Sequence, residues 1–155
     1  MAVVDLLELP AALPERTPLI GLDLGEKTIG VAISDPTLLV ASPLQLIRKS
    51  KFTDDAAALF KLMEGRGAGG LVIGLPVNMD GTEGPRCQSS RAFARNILRL
   101  RDLPIAFWDE RMSSMAVNRM LIDEADINRA RRAAVVDMAA AGWILQGALD
   151  RLRNA

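Results

Sequence analysis

The sequence contains no histidine. That absence removes Ser-His-Asp and Cys-His catalysis, histidine general bases and histidine metal ligands together. Cysteine is nearly absent as well. Cys87 alone cannot form an internal disulfide, and with no histidine to activate it, it reads as a structural or incidental thiol. Such a composition disfavours zinc. An enzyme built from it and acting near neutral pH has to work with carboxylates, Lys, Arg, Ser/Thr, or a hard oxygen-bound metal such as Mg²⁺ or Mn²⁺.

Long hydrophobic runs are also missing. The N-terminus MAVVDLLELPAALPERTP lacks a basic start and carries Asp5, Glu8 and Glu15, so neither a membrane span nor a secretory signal is expected and the chain is expected to be cytoplasmic. No excess charge of either sign exists, with 19 Lys and Arg against 19 Asp and Glu. This argues against affinity for nucleic acid over the whole surface. The charges are nevertheless unevenly placed. Five arginines and no acid lie between Arg86 and Arg101, with Arg91, Arg95 and Arg99 spaced four apart, and Arg129, Arg131 and Arg132 form a second basic group. Each stripe can follow a phosphate backbone or be an ordinary solvated helix face.

Half of the 155 residues are apolar, enough for one core and one domain, expected over residues 18–155 behind an N-terminal extension of residues 1–17. Residues 19 to 25 (LIGLDLG) and 29 to 34 (IGVAIS) read as an antiparallel hairpin turning at Glu26 and Lys27. A third strand is expected within 38 to 47, with Pro43 favouring an edge. TDDAAALFKLMEGRG has helix signals, Thr53 as a possible cap and Gly65 or Gly67 as the stop. GLVIGLP then reads as a buried parallel strand, followed by the turn-rich loop VNMDGTEGP, an arginine-striped helix ending near Asp102, and the strand PIAFWDE. Two helices, 113 to 124 and about 129 to 153, complete the chain. Three strands followed by alternating helices and strands predict an α/β fold: a mixed five-stranded sheet, its first three strands antiparallel, with helices on both faces.

Asp137 stands out within ARRAAVVDMAAAGWILQGALDRLR. At about 100° per residue, Ala133, Ala134, Ala140, Ala141, Ile144, Ala148 and Leu152 all fall within roughly 60° of it, so this acid lies on the apolar face. A lone buried carboxylate costs several kcal/mol unless a cation or hydrogen-bond donors compensate it. Rimming the core with a local hydrogen bond is the simpler explanation of Asp137 alone. Asp23, inside an apolar strand between Leu22 and Leu24, has no such local excuse. Glu110 closes PIAFWDE, at the strand end where open α/β sheets place ligands. If the first and last strands are parallel, Asp23 and Glu110 meet at one sheet edge and a nearby helix can bring Asp137. Three converging carboxylates imply divalent cations, the arrangement needed for two-metal phosphodiester hydrolysis. Asp35 and Asp109 read instead as turn or capping residues, Ser113 or Ser114 as a helix cap, and Asn78 to Gly81 as a turn.

LIGLDLGEKTIGVAISD, LVIGLPVNMDGTEGP, DERMSS and VVDMAA occur in this order and at compatible spacing. Together they resemble the YqgF-type, Holliday-junction-resolvase-like family of pre-16S ribosomal RNA nucleases. The resemblance covers roughly residues 19 to 150 and implies a ribonuclease H-like fold. It places the family's catalytic and metal-binding acids on Asp23, Glu110 and Asp137, and implies that Lys27, Asn78, Arg111, Arg131 and Arg132 lie near the substrate. Where family members carry a threonine after DER, this chain has Met112, Ser113 and Ser114.

The resulting expectation is a nuclease using Mg²⁺ or Mn²⁺ on structured precursor rRNA at the 5′ end of 16S rRNA, acting as monomer or homodimer and away from membranes. Three rivals are a branched-DNA resolvase, an ATP-dependent sugar-kinase-like or chaperone-like protein suggested by G-x-D-x-G, and a non-catalytic RNA-binding module. The chain is short for the two lobes of the kinase-like rival.

Overall fold

The computed structural model describes residues 3–112 and 129–155, with side chains described throughout except at 129–137. The strands are β1 (Leu19–Leu24), β2 (Thr28–Ser34), β3 (Ala41–Arg48), β4 (Gly70–Leu75) and β5 (Ile105–Asp109), and the helices are α1 (Phe52–Arg66), α2 (Pro85–Leu100) and α3 (Arg129–Arg153). One sheet has the order β3-β2-β1-β4-β5. β1 to β3 form an antiparallel meander, while β4 pairs parallel with both β1 and β5. β1 and β5 are therefore parallel and end at the same edge.

Strand alternation sends side chains into two separate cores. Ile20, Leu22, Ile29, Val31, Leu71, Ile73 and Ile105 pack with Leu59 and Met63 of α1 and Ala94 and Ile97 of α2. On the other face Leu19, Ala32, Val72, Ala106 and Trp108 pack with Ala141, Ile144, Leu145, Ala148 and Leu149 of α3. Burial on both faces explains the unbroken apolar run of β4. No described helix is long and apolar enough to cross a membrane.

Several boundaries differ from expectation. β3 begins at Ala41, because Leu39 and Val40 belong to a turn held by Asp35. Its edge position accommodates Pro43. Lys51, not Thr53, occupies the N-cap of α1, with no side-chain cap bond, and the buried Asp55 carboxylate instead accepts the Ser50 N–H at 3.0 Å. Gly67 ends the helix in the left-handed region, φ 67°, at little steric cost. Residues 3–17 are packed against the domain. Val4 N–H donates to Ile105 O at 2.8 Å, so the chain covers the free edge of β5, and Leu9 is fully buried in the α3-side core. The helix expected over 113 to 124, its capping hydroxyls Ser113 and Ser114, and the loop at Asp126 and Asn128 lie outside the described residues.

Asp35 carries the turn between β2 and β3. Its carboxylate accepts from the backbone N–H groups of Thr37, Leu39 and Val40 and from the Thr37 hydroxyl. The Thr37 hydroxyl bond first, then the backbone donors, hold the carboxyl far below the usual carboxylate range. Because the folded state binds this proton less readily than the unfolded chain, the contribution is present above about pH 4 and fades as pH falls. Asp35→Asn should therefore lower the urea midpoint at about pH 7, and the gap to wild type should narrow by about pH 3. A gap independent of pH would show that the charge does not matter.

Candidate active site at the β1, β4 and β5 edge

Position in β1 decides which face Asp23 serves. Leu19 enters the α3-side core, whereas Ile20 and Leu22 enter the other, so Leu19, Gly21 and Asp23 share the α3 face. Asp23 is only 5% exposed. One step beyond the Leu22–Ile73 pair, it stands beside Gly74 on β4.

Glu110 reaches the same spot from the other side. β5 ends at Asp109, and Glu110 opens a single 3-10 turn, Glu110–Met112, instead of completing the strand. Its carboxyl carbon lies 3.4 Å from where a Cβ on Gly74 would sit. Gly74, having no side chain, lets the Ile144 side chain of α3 settle onto β4 beside the Glu110 carboxyl group. Asp23 and Glu110, 87 positions apart in sequence, are therefore gathered on the α3 face at the carboxyl edge of the parallel strands.

The direction of α3 brings its N-terminal part to this edge. Gly142 lies against Pro43, while Gln146, one turn later, accepts from Ala41 N–H at 2.8 Å and donates to Leu39 O at 3.0 Å. The helix thus descends from Pro43 toward the start of β3, antiparallel to β1. Ala141 and Leu145 sit over Gly21, and position 137 is one helical turn above Ala141, toward Asp23. The side chains of Asp137, Arg131 and Arg132 lie outside the described residues. Among the described residues, no group of three His, Cys, Asp or Glu side chains gathers to hold a metal.

Arg111 makes a local clasp. Its Nε and Nη2 donate to the Asp109 carboxylate, the shortest of these bonds being 2.7 Å, and Nη1 reaches Met79 O at 3.5 Å. The Arg111 bond holds the Asp109 carboxyl below the usual carboxylate range. This joins the turn carrying Glu110 to the loop after β4. That loop is itself closed: Gly81 N–H donates to Asn78 O at 2.8 Å with φ 89° at Gly81, the Asn78 amide donates to the Thr82 hydroxyl at 3.0 Å, and the Thr82 hydroxyl and N–H donate to Asp80. Asn78 is thus exposed at the same edge with its side chain bonded within the loop. Lys27 is exposed on the β1–β2 turn.

The arginine stripe on α2 is partly consumed by structure. Arg91 forms a bidentate pair with Glu83 at 2.7 and 2.8 Å and lies 5.1 Å from the Phe107 ring centroid. Arg99 bonds Asn96, while Arg95 is exposed. Sequence spacing located the stripe but gave no sign of the Glu83 pairing. It also overlooked Gly21 and Gly74, whose role depends on what crosses above them.

Comparison with known proteins gives consistent matches. The family model described as RuvX, Holliday junction resolvase, matches residues 17–151. A protein of Phenylobacterium zucineum (strain HLK1), named as a candidate pre-16S rRNA nuclease, is 80% identical over 155 residues, covering 99% of each chain. A protein of the same name from Rhodospirillum rubrum is 60% identical over 152 residues, covering 98% of this chain and 94% of its own. Among solved structures, T. thermophilus RuvC in complex with Holliday junction substrate is similar with a TM-score of 0.53 and 8% identity, covering 87% of this chain and 94% of that one. That likeness is one of fold, which is ribonuclease H-like.

Proposed function

The chain belongs to the RuvX Holliday junction resolvase family, and from that premise we propose that it is a divalent-metal-dependent nuclease that hydrolyses phosphodiester bonds in 5′-end processing of precursor 16S rRNA. The relatives' names supply the substrate class. The observation that carries the chemistry is the placement of Asp23, nearly buried in an apolar strand, and Glu110 on one face of the sheet at the same carboxyl edge, on either side of β4.

The donor set fits a hard cation. Carboxylate oxygens suit Mg²⁺ or Mn²⁺, and a chain without histidine offers no competing nitrogen ligand. Asp23, Glu110 and Asp137 are assigned as the ligands. When bound, such an ion supplies positive charge at the scissile phosphate and acidifies water. Rigid placement comes from the chain: Asp23 is fixed by the sheet ladder, and Glu110 by the Arg111–Asp109 clasp. Lys27, Asn78, Arg131 and Arg132 are assigned to the substrate backbone, together with the donors of Arg111 that the clasp leaves over. Such groups grip phosphate and read little sequence. A cytoplasmic location follows from this role.

The test is incubation of purified protein with structured precursor RNA, in Mg²⁺ or Mn²⁺ and in EDTA. Cleavage dependent on the added ion is expected; no cleavage with either ion would overturn the proposal. A second reading, a branched-DNA resolvase, is favoured by the description of the matching family model. It requires two sites cutting symmetry-related strands, so a protein that stays monomeric on a four-way DNA junction would count against it.

A further inference from the structure

Behind the β1–β2 turn, on the opposite face of the sheet from Asp23 and Glu110, lies a cleft of about 140 Å³. Leu24 and Phe93 are its apolar lining residues, and Glu26, Lys49, Arg86 and Ser89 its polar ones. The residues come from three places: the end of β1 and its turn, the residue after β3, and the first turns of α2.

We propose that this cleft is a phosphate subsite holding the nucleic-acid backbone next to the bond being cut. The proposal rests on the nuclease reading and extends it to residues outside the acid-bearing face. Three observations support it. Lys49 is prepositioned, because its ammonium donates to Gly25 O at 3.0 Å and its backbone N–H to Lys27 O at 2.9 Å. An ammonium has three donors, so two remain for an anion. Arg86 lies in the first turn of α2, a turn that contains no acid, so its charge and the positive end of the helix act together. The cleft is also adjacent to the proposed reaction centre. Leu24 borders it, while the preceding residue, Asp23, faces the α3 side, so a strand bending round the end of β1 reaches both.

Phe93 adds an apolar wall on which a sugar or base can rest. Its edge-on packing against Phe52, ring centroids 5.5 Å apart, keeps it in place. Two cations outweigh the single carboxylate of Glu26. That carboxylate gives the proposal an effect of opposite sign.

The test measures binding of a fluorescent oligouridine in EDTA, so that binding is followed apart from turnover. Each cation that neutralises a phosphate of a single strand adds about 0.7 to the slope of log affinity against log salt, so Lys49→Ala with Arg86→Ala should lower that slope by about 1.4. At low salt the double variant should bind at least about tenfold more weakly. Glu26→Gln should bind more tightly than wild type. Arg66→Ala, which removes a cation at the far end of α1, serves as the control and should keep the wild-type slope. A wild-type slope in the double variant, or weaker binding by Glu26→Gln, would overturn the subsite. If wild type never cuts RNA with Mg²⁺ or Mn²⁺ but the slope still falls as expected, the subsite stands and the nuclease reading fails.

Discussion

Asp23→Asn should abolish metal-dependent cleavage while leaving the protein folded. Asparagine has nearly the same shape, so the backbone pairing of β1 with β2 and β4 is retained. What changes is the charge and the ability to hold a divalent ion through a carboxylate. Residues that only orient a metal ligand already cost about 10- to 100-fold when removed, so loss of a direct ligand should exceed about 100-fold in kcat/KM. Glu110→Gln and Asp137→Asn should show losses of the same order if the three acids act as a unit. Apparent stability supplies an independent readout. An ion that binds only the folded state raises the melting temperature of wild type, and the rise should be smaller in each variant. Undiminished cutting by any one of them would remove that residue from the ligand set.

How much of this was legible beforehand depended on how local each signal was. The β4 run GLVIGL and the turn between β1 and β2 announce themselves because burial and turn chemistry act over a few residues. Chain order then constrained the sheet: a meander followed by two crossover units leaves β1 and β5 parallel. Asp23 and Glu110 could be brought to one edge on that basis. The apolar periodicity around Asp137 likewise indicated which face of α3 meets the sheet, and Ala141, Ile144, Leu145 and Ala148 occupy that face. Other features depended on packing between distant segments. Nothing near Arg91 in sequence reveals that Glu83 and Phe107 hold it, and nothing near Leu9 reveals a place in the core. The cap of α1 failed for a related reason, since the buried Asp55 carboxylate binds Ser50 N–H and shifts the helix start from Thr53. Gly21 and Gly74 look like ordinary small residues until a helix is laid over them.

Gly21→Ala tests that close approach. A Cβ there would stand 2.6 Å from the Cβ of Leu145 and 3.2 Å from the carbonyl oxygen of Ala141. Both obstacles are fixed to the backbone of α3, so no rotamer change relieves them. The helix must retreat from the sheet or the strand must bend, at a cost of about 1–3 kcal/mol. For a domain of this size, that lowers the melting temperature by roughly 2–4 °C per kcal/mol. Gly74→Ala provides the contrast. Its new Cβ would come 2.5 Å from Ile144 Cδ1, the movable end of a side chain, and 3.4 Å from the carboxyl carbon of Glu110. The stability cost should be smaller than at Gly21, but the new methyl group sits against the Glu110 carboxyl group and pushes Ile144 toward it. Cleavage should therefore fall more steeply than stability in Gly74→Ala, whereas Gly21→Ala should lose stability first and activity as a consequence of α3 moving. Thermal melts and kcat/KM measured on both variants separate these outcomes. Equal stability of Gly21→Ala and wild type would mean that α3 does not lie as close to β1 as the structure has it, and the route that brings position 137 to the edge would fall with it.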